Sequence, residues 1–359
     1  MEIIKYIMVA FALIASIDRI FGNRLGLGKE FERGLMLTGA SILSMTGMLV
    51  LAPLIAQLLT PFCDWFYDLC KIDPSVIPAS LLANDMGGAA TAEAVAKNET
   101  LRDFNAYVVS SMMGVTFSWT LPFGMTAVKA EKHNSMFLGF LCGVLTVPVG
   151  CFVAGLMCNI PLLTLLLSLL PLLLISMIIT LGLLFFQKVT LFIFRIFGQF
   201  IRIVIVIGLA MGLFTLLTGV QIPLNLDTYE NCALVSVNAT AFMAGALPLL
   251  YCLSKVLKKA LQKMGNMLGI NETSAMGFVS TVATSMATFE RMDDMDNRGV
   301  ILNSAFAISA GFVFAGHMAF TFTQCPDMVG PMIVGKLVSG FAAVAVAFLL
   351  FRNKKDADQ

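Results

Sequence analysis

Asp85 carries the sharpest chemical signal in the sequence, sitting in Ala83-Asn84-Asp85-Met86-Gly87-Gly88 between long apolar runs. A charge at membrane depth is costly and marks a working site by default. A carboxylate in that setting suits a cationic substrate or a coupling cation. Gly87 and Gly88 permit positive φ or close backbone approach, so a helix can break beside the acid and present oriented dipoles and unpaired backbone groups. The plainer reading puts Asp85 at a mouth, capping a helix.

Neutral groups offer themselves as partners. Asn84, Asn271, Thr284 and Ser285 can bind a hydroxyl, line a water path or bond locally to the backbone; Asn271 with Glu272 equally suits a helix start after Gly269. Ser110 and Ser111, followed by Met112, Met113 and Gly114, form a small polar patch that could face the Asp85 element. His317 lies within the apolar run GFVFAGHMAFTF. A neutral ring there can bond a hydroxyl and can change charge near physiological pH, or it can be a packed, singly bonded histidine. Asn303, on the same span at 299–322, suits gating, coupling or, more simply, bonding to a broken neighbour helix. Glu290 is a second cation site, a gate charge or a loop residue, and the charges that follow through Arg298 favour the loop.

These groups need a scaffold, and the composition indicates one. Of 359 residues only 13% are charged and 58% are hydrophobic, with a mean hydropathy of +0.88. A soluble domain of this size needs more surface charge. Apolar stretches long enough to cross a bilayer recur at 3–20, 36–60, 104–128, 135–157, 161–186, 190–218, 231–254, 299–322 and 328–350. Their continuity argues against a β-barrel, whose strands alternate. The expected fold is an all-α polytopic membrane protein forming a single transport domain. It has about nine full transmembrane helices plus two re-entrant or broken ones, roughly nine to eleven crossings. The N-terminal run MEIIKYIMVAFALIASIDRI has no strongly basic flank and no small-x-small cleavage site, so it reads as an uncleaved first span.

Several function classes fall away. No clustered basic surface suits nucleic acid, no GxxxxGK[ST] loop suits ATP, and the cysteine spacing gives no metal motif. No cofactor is implied, and no soluble catalytic domain suggests an enzyme. The cysteines within apolar spans read as small hydrophobes. Cys63 and Cys70, in TPFCDWFYDLCKIDP, would pair if that loop met an oxidising exterior.

Basic residues favour cytoplasmic loops. With Met1 outside and one crossing per span, the sets Arg19, Arg24, Lys29, Arg33; Lys129, Lys132; Lys255, Lys258, Lys259, Lys263; and the tail Arg352, Lys354, Lys355 all fall inside. Segments 61–80 and 219–230 fall outside. The count closes only if 81–96 and 270–289 do not cross fully. Both are polar for spans, and irregular backbone at that depth survives only where protein or a water-filled cavity covers it. Each half of the chain also runs through a polar broken element, a charged connection, a span with small residues and a glycine-studded span. Elements 81–157 and 270–350 are therefore expected to form an inverted-topology repeat, a recurrent transporter plan. Gly139-x3-Gly143 and Gly208-x3-Gly212 allow close helix contact within the chain or in a homodimer. Arg195 and Arg202 read as snorkelling toward lipid phosphates.

The residues in LLANDMGG at 81–88, SSMMG at 110–114, the run from Gly265 through Asn303 and DMVGPMIVGKL at 327–337 carry a resemblance that covers nearly the whole chain. It resembles the ethanolamine permease (EutH) family of bacterial ethanolamine-utilisation systems. Asp85, Met86, Gly87 and Gly88 fit the family's first motif, Asn271 its Asn after the basic linker, and Met295, Asp296, Arg298 and Gly299 its Met-Asp-x-Arg-Gly turn; Asn303 and His317 match as well. Thr284-Ser285 stands where the family often has Asn-Asn, and Ala315-Gly316-His317 where it often has Gly-Asp-His, which leaves Asp85 as the clearer anion.

The resemblance implies a multi-pass protein of the bacterial inner or plasma membrane, and the loop charges place its N-terminus outside and its C-terminus in the cytoplasm. It implies uptake of ethanolamine by a carrier mechanism, with Asp85 on the ammonium and Asn, Ser or His groups on the hydroxyl. It further implies a link to cytoplasmic ethanolamine catabolism by a cobalamin-dependent lyase in a protein shell. The alternatives are a secondary transporter for another small amine, an amino acid or a nucleoside, or a membrane channel or receptor.

Overall fold

A computed structural model describes residues 2–351 apart from the side chains of Glu2, Ile3, Lys258 and Leu261; the tail cations Arg352, Lys354 and Lys355 lie outside the described residues. In chain order the helices are α1 (Glu2–Ile20), α2 (Leu27–Cys70), α3 (Val76–Leu81), α4 (Ala89–Val95), α5 (99–127), α6 (Ala130–Met157), α7 (Leu162–Phe185), α8 (Gln187–Thr218), α9 (Tyr229–Leu268), α10 (Glu272–Ala283), α11 (Ser285–Phe289), α12 (Asn297–Ala310), α13 (Gly316–Gln324) and α14 (Pro326–Leu350). The described residues contain no strand.

The span count expected from the sequence needs correction. Among the described residues, 6 helices are long and apolar enough to cross a membrane: α2, α6, α7, α8, α14 and the Tyr229–Leu257 part of α9. The other three expected spans, and the two re-entrant elements added to them, do not belong to that set, for different physical reasons. α1 carries Glu2, Lys5, Asp18 and Arg19 within its length. The run 104–128 is helical but holds Asn105, Ser110, Ser111, Thr116, Ser118 and Thr120, all buried in protein. Protein rather than lipid surrounds it, so it need not be apolar. The run 299–322 breaks at 311–315, leaving α12 and α13 too short to cross. Segments 81–96 and 270–289 are short helices with breaks between them. An orientation argued from nine crossings loses that support.

Apolar helices such as α7 satisfy their own backbone polar groups, which hydrocarbon cannot do. They leave Leu163, Leu174, Ile178 and Phe185 exposed as a lipid-facing surface. At the other extreme, α6, α12 and α14 pack closely on one another. A Cβ at Gly139 would meet the α12 backbone, one at Gly143 the side chain of Ile308, and one at Gly150 the backbone of Gly335. Gly208 lies likewise on Gly47 of α2. Small residues let helix backbones approach, so these glycine pairs serve packing within the chain.

Contacts sort the loops into two sets. One gathers the basic clusters: Arg19 pairs with Glu32 at 3.1 Å, Lys255 reaches Leu25 O at 3.5 Å, Gln262 reaches Glu272 at 3.4 Å, and Lys132 donates to Met295 O at 2.9 Å. The other joins Asp64 to Lys97 at 2.7 Å and Cys158 to Met328 at 3.8 Å. Cys63 and Cys70 are both free. They stand seven residues apart on α2, about 10 Å of helical rise, beyond the reach of a disulfide, so the conditional pairing fails.

The same polar device closes a broken segment in each half. Asp73 Oδ2 accepts from Asn98 N, 25 residues on, at 2.8 Å, and Asn98 caps the next helix through Leu101 N. In the second half Asp296 Oδ1 accepts from Asn271 N, again 25 residues apart, at 2.9 Å, and Asp296 caps α12 through Gly299 N. Seven residues beyond each capping residue an asparagine reaches back: Asn105 to Ser75 Oγ at 2.8 Å, Asn303 to Ser274 O at 2.8 Å.

Candidate functional site

The break between α3 and α4 is where the sequence placed its carboxylate. Ala83 is extended, Met86 leaves helical geometry and Gly87 takes φ +82°, a conformation that strains any L side chain. Gly88 must be bare because a Cβ there would fall 2.6 Å from Ala83 O. The turn projects Asp85 from the break with its side chain 21% exposed. A bare Gly316 leaves space beside it: a Cβ at that glycine would still lie 3.7 Å from Asp85 Oδ2. Among the described residues no other side chain hydrogen-bonds to this carboxylate; the nearest titratable neighbour is His317, with Nε2 3.9 Å from Oδ1.

A second break, between α12 and α13, positions that histidine. Phe312 takes φ +59°, unusual for a bulky residue. It is held by hydrogen bonds from Phe312 N to Thr281 O at 3.1 Å and from Phe314 N to Val282 O at 2.9 Å. The acceptors of these bonds lie in the last turn of α10, after which Thr284 is extended and starts α11. The two breaks of the second half therefore lean on each other. Trp119 stands edge-on to Phe312 at 4.9 Å, and Phe312 lies 5.3 Å from the His317 ring. His317 is 2% exposed.

Behind His317 lies Lys336 of α14, fully buried. Its Nζ donates to Ser111 O and stands 3.0 Å from His317 Nδ1. When Lys336 is charged it has donors and no acceptor, and in that state Nδ1 accepts and the ring proton sits on Nε2, the nitrogen facing Asp85. Ser111 belongs to Phe104–Gly114, a stretch of widened π-type turns within α5. Such turns gather at functional sites. The chain thus builds a line from carboxylate to imidazole to ammonium, open to space at the carboxylate end and sealed at the other.

The structure treats the sequence candidates unequally. Asp85 and His317 come together. Asn84 is buried beside them and donates to Thr321 Oγ1 at 3.3 Å, leaving its Oδ1 without a partner. Ser110 and Ser111 turn their hydroxyls back to Ala106 O and Val108 O of their own helix, so Ser111 contributes its carbonyl instead. Thr284 and Ser285 sit at the break between α10 and α11; Ser285 Oγ is buried and unpartnered. Asn271 is a helix cap, accepting from Ser274 N at 2.8 Å in an exposed loop. Asn303 bonds Ser274 O and Gly299 O, the role of glue between helices. Glu290 is exposed. Lys336 was not singled out from the sequence, although the rule that chose Asp85, an ionisable residue inside an apolar run, applies equally to GPMIVGKLVSG. Among the described residues no cluster of His, Cys, Asp or Glu could hold a metal ion.

Residues 1–350 match the family described as "Ethanolamine utilisation protein, EutH". The chain is 40% identical over 349 residues to the "Probable ethanolamine permease EutH" of Listeria monocytogenes, covering 97% of this chain and 94% of that one. It is 33% identical to the protein of the same description from Salmonella typhimurium, covering 100% of this chain and 97% of that one. It is also 33% identical to the "Uncharacterized protein YxeR" of Bacillus subtilis, covering 96% and 94%. No solved structure matches the chain.

Proposed function

The chain belongs to the bacterial EutH family of ethanolamine utilisation proteins, and on that premise we propose that it is an ethanolamine carrier in which Asp85 holds the substrate ammonium. The observation that carries this reading is the state of Asp85. It is a partly open carboxylate in a helix break, with no hydrogen-bonding side chain among the described residues and its nearest titratable neighbour 3.9 Å away. An anion so placed is costly unless a cation completes it. Ethanolamine supplies an ammonium and, two carbons on, a hydroxyl. Asn84, whose Oδ1 lacks a partner next to Asp85 in the chain, is the group assigned to that hydroxyl, and the His317 ring lies beside the carboxylate. Thr284 and Ser285, at the break between α10 and α11, are assigned to the lining of the path.

The loop set that gathers Lys129, Lys132, Lys255, Lys259 and Lys263 is assigned to the cytoplasm, since basic loops stay inside. That reading puts the Leu350 end of α14 on the cytoplasmic side as well. The matched devices around Asp73 and Asp296 support reading 81–157 and 270–350 as repeated elements. Ethanolamine delivered inside would serve cytoplasmic catabolism.

Competition against labelled ethanolamine uptake in proteoliposomes tests the assignment. Small primary ammonium compounds should compete, and ethylene glycol, which keeps the hydroxyl but lacks the ammonium, should not. Equal competition by ethylene glycol would move recognition away from the carboxylate.

A further inference from the structure

We propose that the space between Asp85 and Lys336 accepts one mobile positive charge at a time, so that an ammonium substrate exchanges for the proton of Lys336. This rests on the reading of Asp85 as the ammonium site.

The charge balance of the buried line carries the inference. Lys336 is wholly enclosed. The titratable groups that bear on it come from the elements packed around it: Asp85 from the 84–88 turn, His317 from α13 and Cys151 from α6. Among the described residues Asp85 is the one carboxylate whose charge acts on it. The thiol of Cys151 is also buried, and a thiol enclosed in apolar surroundings stays neutral and inert. With the site empty, Asp85 and Lys336 therefore cancel each other across a neutral imidazole. When an ammonium settles on Asp85, two cations share one anion, and the inner cation, Lys336, is wholly enclosed. Burying an uncompensated charge is among the costliest arrangements a protein can hold. The lysine is the member of this set that can relieve it, because an ammonium gives up its proton when buried.

The geometry supplies the route. Nζ–H gives its proton to His317 Nδ1, at 3.0 Å, while His317 gives its Nε2 proton to Asp85 Oδ1, at 3.9 Å. The second distance must close by about 1 Å, or a water must bridge it, for a normal hydrogen bond. The products are a neutral lysine amine, a neutral imidazole protonated on Nδ1, and a neutral carboxylic acid; total charge is unchanged. The acid then loses its proton to the open side as the ammonium takes its place, leaving carboxylate and ammonium paired beside an uncharged lysine. Release runs the same steps in reverse. One cation enters for each proton that leaves, and no net charge crosses. Lys336 touches no substrate atom in this scheme; it is a positioning residue that sets the coupling.

Calorimetric titration of the purified full-length chain in lipid nanodiscs with ethanolamine, in buffers of different ionisation enthalpy, counts the protons released. The inference predicts a proton released for each ethanolamine bound by the wild type, and none by Lys336→Met, which keeps the volume and removes the proton. It also predicts that wild-type proteoliposomes carry no current during uptake, whereas Lys336→Met does. Binding by the wild type without proton release, or uptake accompanied by a current of one charge per ethanolamine, overturns the inference and leaves the ammonium reading standing. Unaltered proton release by Lys336→Met assigns the proton to the amine itself and overturns it as well. If the wild type binds no ethanolamine, the ammonium reading falls and takes this inference with it. The wild-type proton count and current decide the matter without the variant if Lys336→Met does not fold.

Discussion

Lys336 Nζ stands 3.0 Å from His317 Nδ1, sealed between α5, α13 and α14. The imidazole is the side-chain acceptor of a buried ammonium whose other bond runs to the Ser111 carbonyl. His317→Ala would leave that ammonium short of a partner, and a buried donor left without its acceptor costs about 1–3 kcal/mol, more when it is charged. A large fall in thermal unfolding temperature in detergent is expected. His317→Gln, which retains an acceptor oxygen, should recover part of the loss. Equal stability of His317→Ala and the wild type would mean the lysine does not depend on the ring.

Two glycines make a matched test of the break. Gly88 sits where a Cβ would press on the Leu82 and Ala83 carbonyls, whereas a Cβ at Gly39 in α2 meets nothing within 4 Å. Gly88→Ala should destabilise by about 1–3 kcal/mol through backbone displacement and reduce uptake. Gly39→Ala should stabilise by about 0.5–1 kcal/mol by lowering helix entropy loss. Thermal melts of the two variants side by side give the signs, and a shared sign would count against the described turn.

How much of this was legible in the sequence depends on what surrounds each helix. Spans in contact with lipid, such as α7 and α8, announce themselves by continuous apolar runs. α5 does not follow that rule, because protein covers it and Asn105, Ser110 and Ser111 find partners inside. The break at 311–315 lies in an apolar run whose flanking glycines, Gly311 and Gly316, are common in membrane helices and gave no clear stop. Asp85 was legible as a charge beside paired glycines. Lys336 was equally visible as a charge, but no glycine pair or polar neighbour drew attention to it. Asn271 was legible as a cap only as one of two readings, and its hydrogen bonds to Ser274 and Asp294 identify it as that.

The paired polar devices should carry comparable weight. Asp73 accepts from Ser75 N, Ser75 Oγ, Lys97 N and Asn98 N, and Asp296 accepts from Asn271 N, Ser274 Oγ and Gly299 N. Asp73→Ala and Asp296→Ala should each cost about 2–4 kcal/mol, the loss of several charge-assisted bonds to a buried or half-buried backbone. Melting curves would show two similar losses. A negligible effect of either would separate the two halves.

The cysteine chemistry follows from exposure. Cys70 ends α2 in solvent and Cys63 is buried on the same helix. A membrane-impermeant maleimide applied to folded protein should add to Cys70 and spare Cys63 until denaturant is present, as read by peptide mass. A Cys63–Cys70 crosslink in non-reducing digests would contradict the helix through both.

Asp85→Asn is the most direct test of the ammonium assignment. The amide keeps the shape of the break and removes the charge that completes an ammonium. Saturable counterflow of labelled ethanolamine in proteoliposomes should be abolished while the protein remains inserted and folded. Counterflow at the wild-type rate from correctly inserted Asp85→Asn would contradict the account.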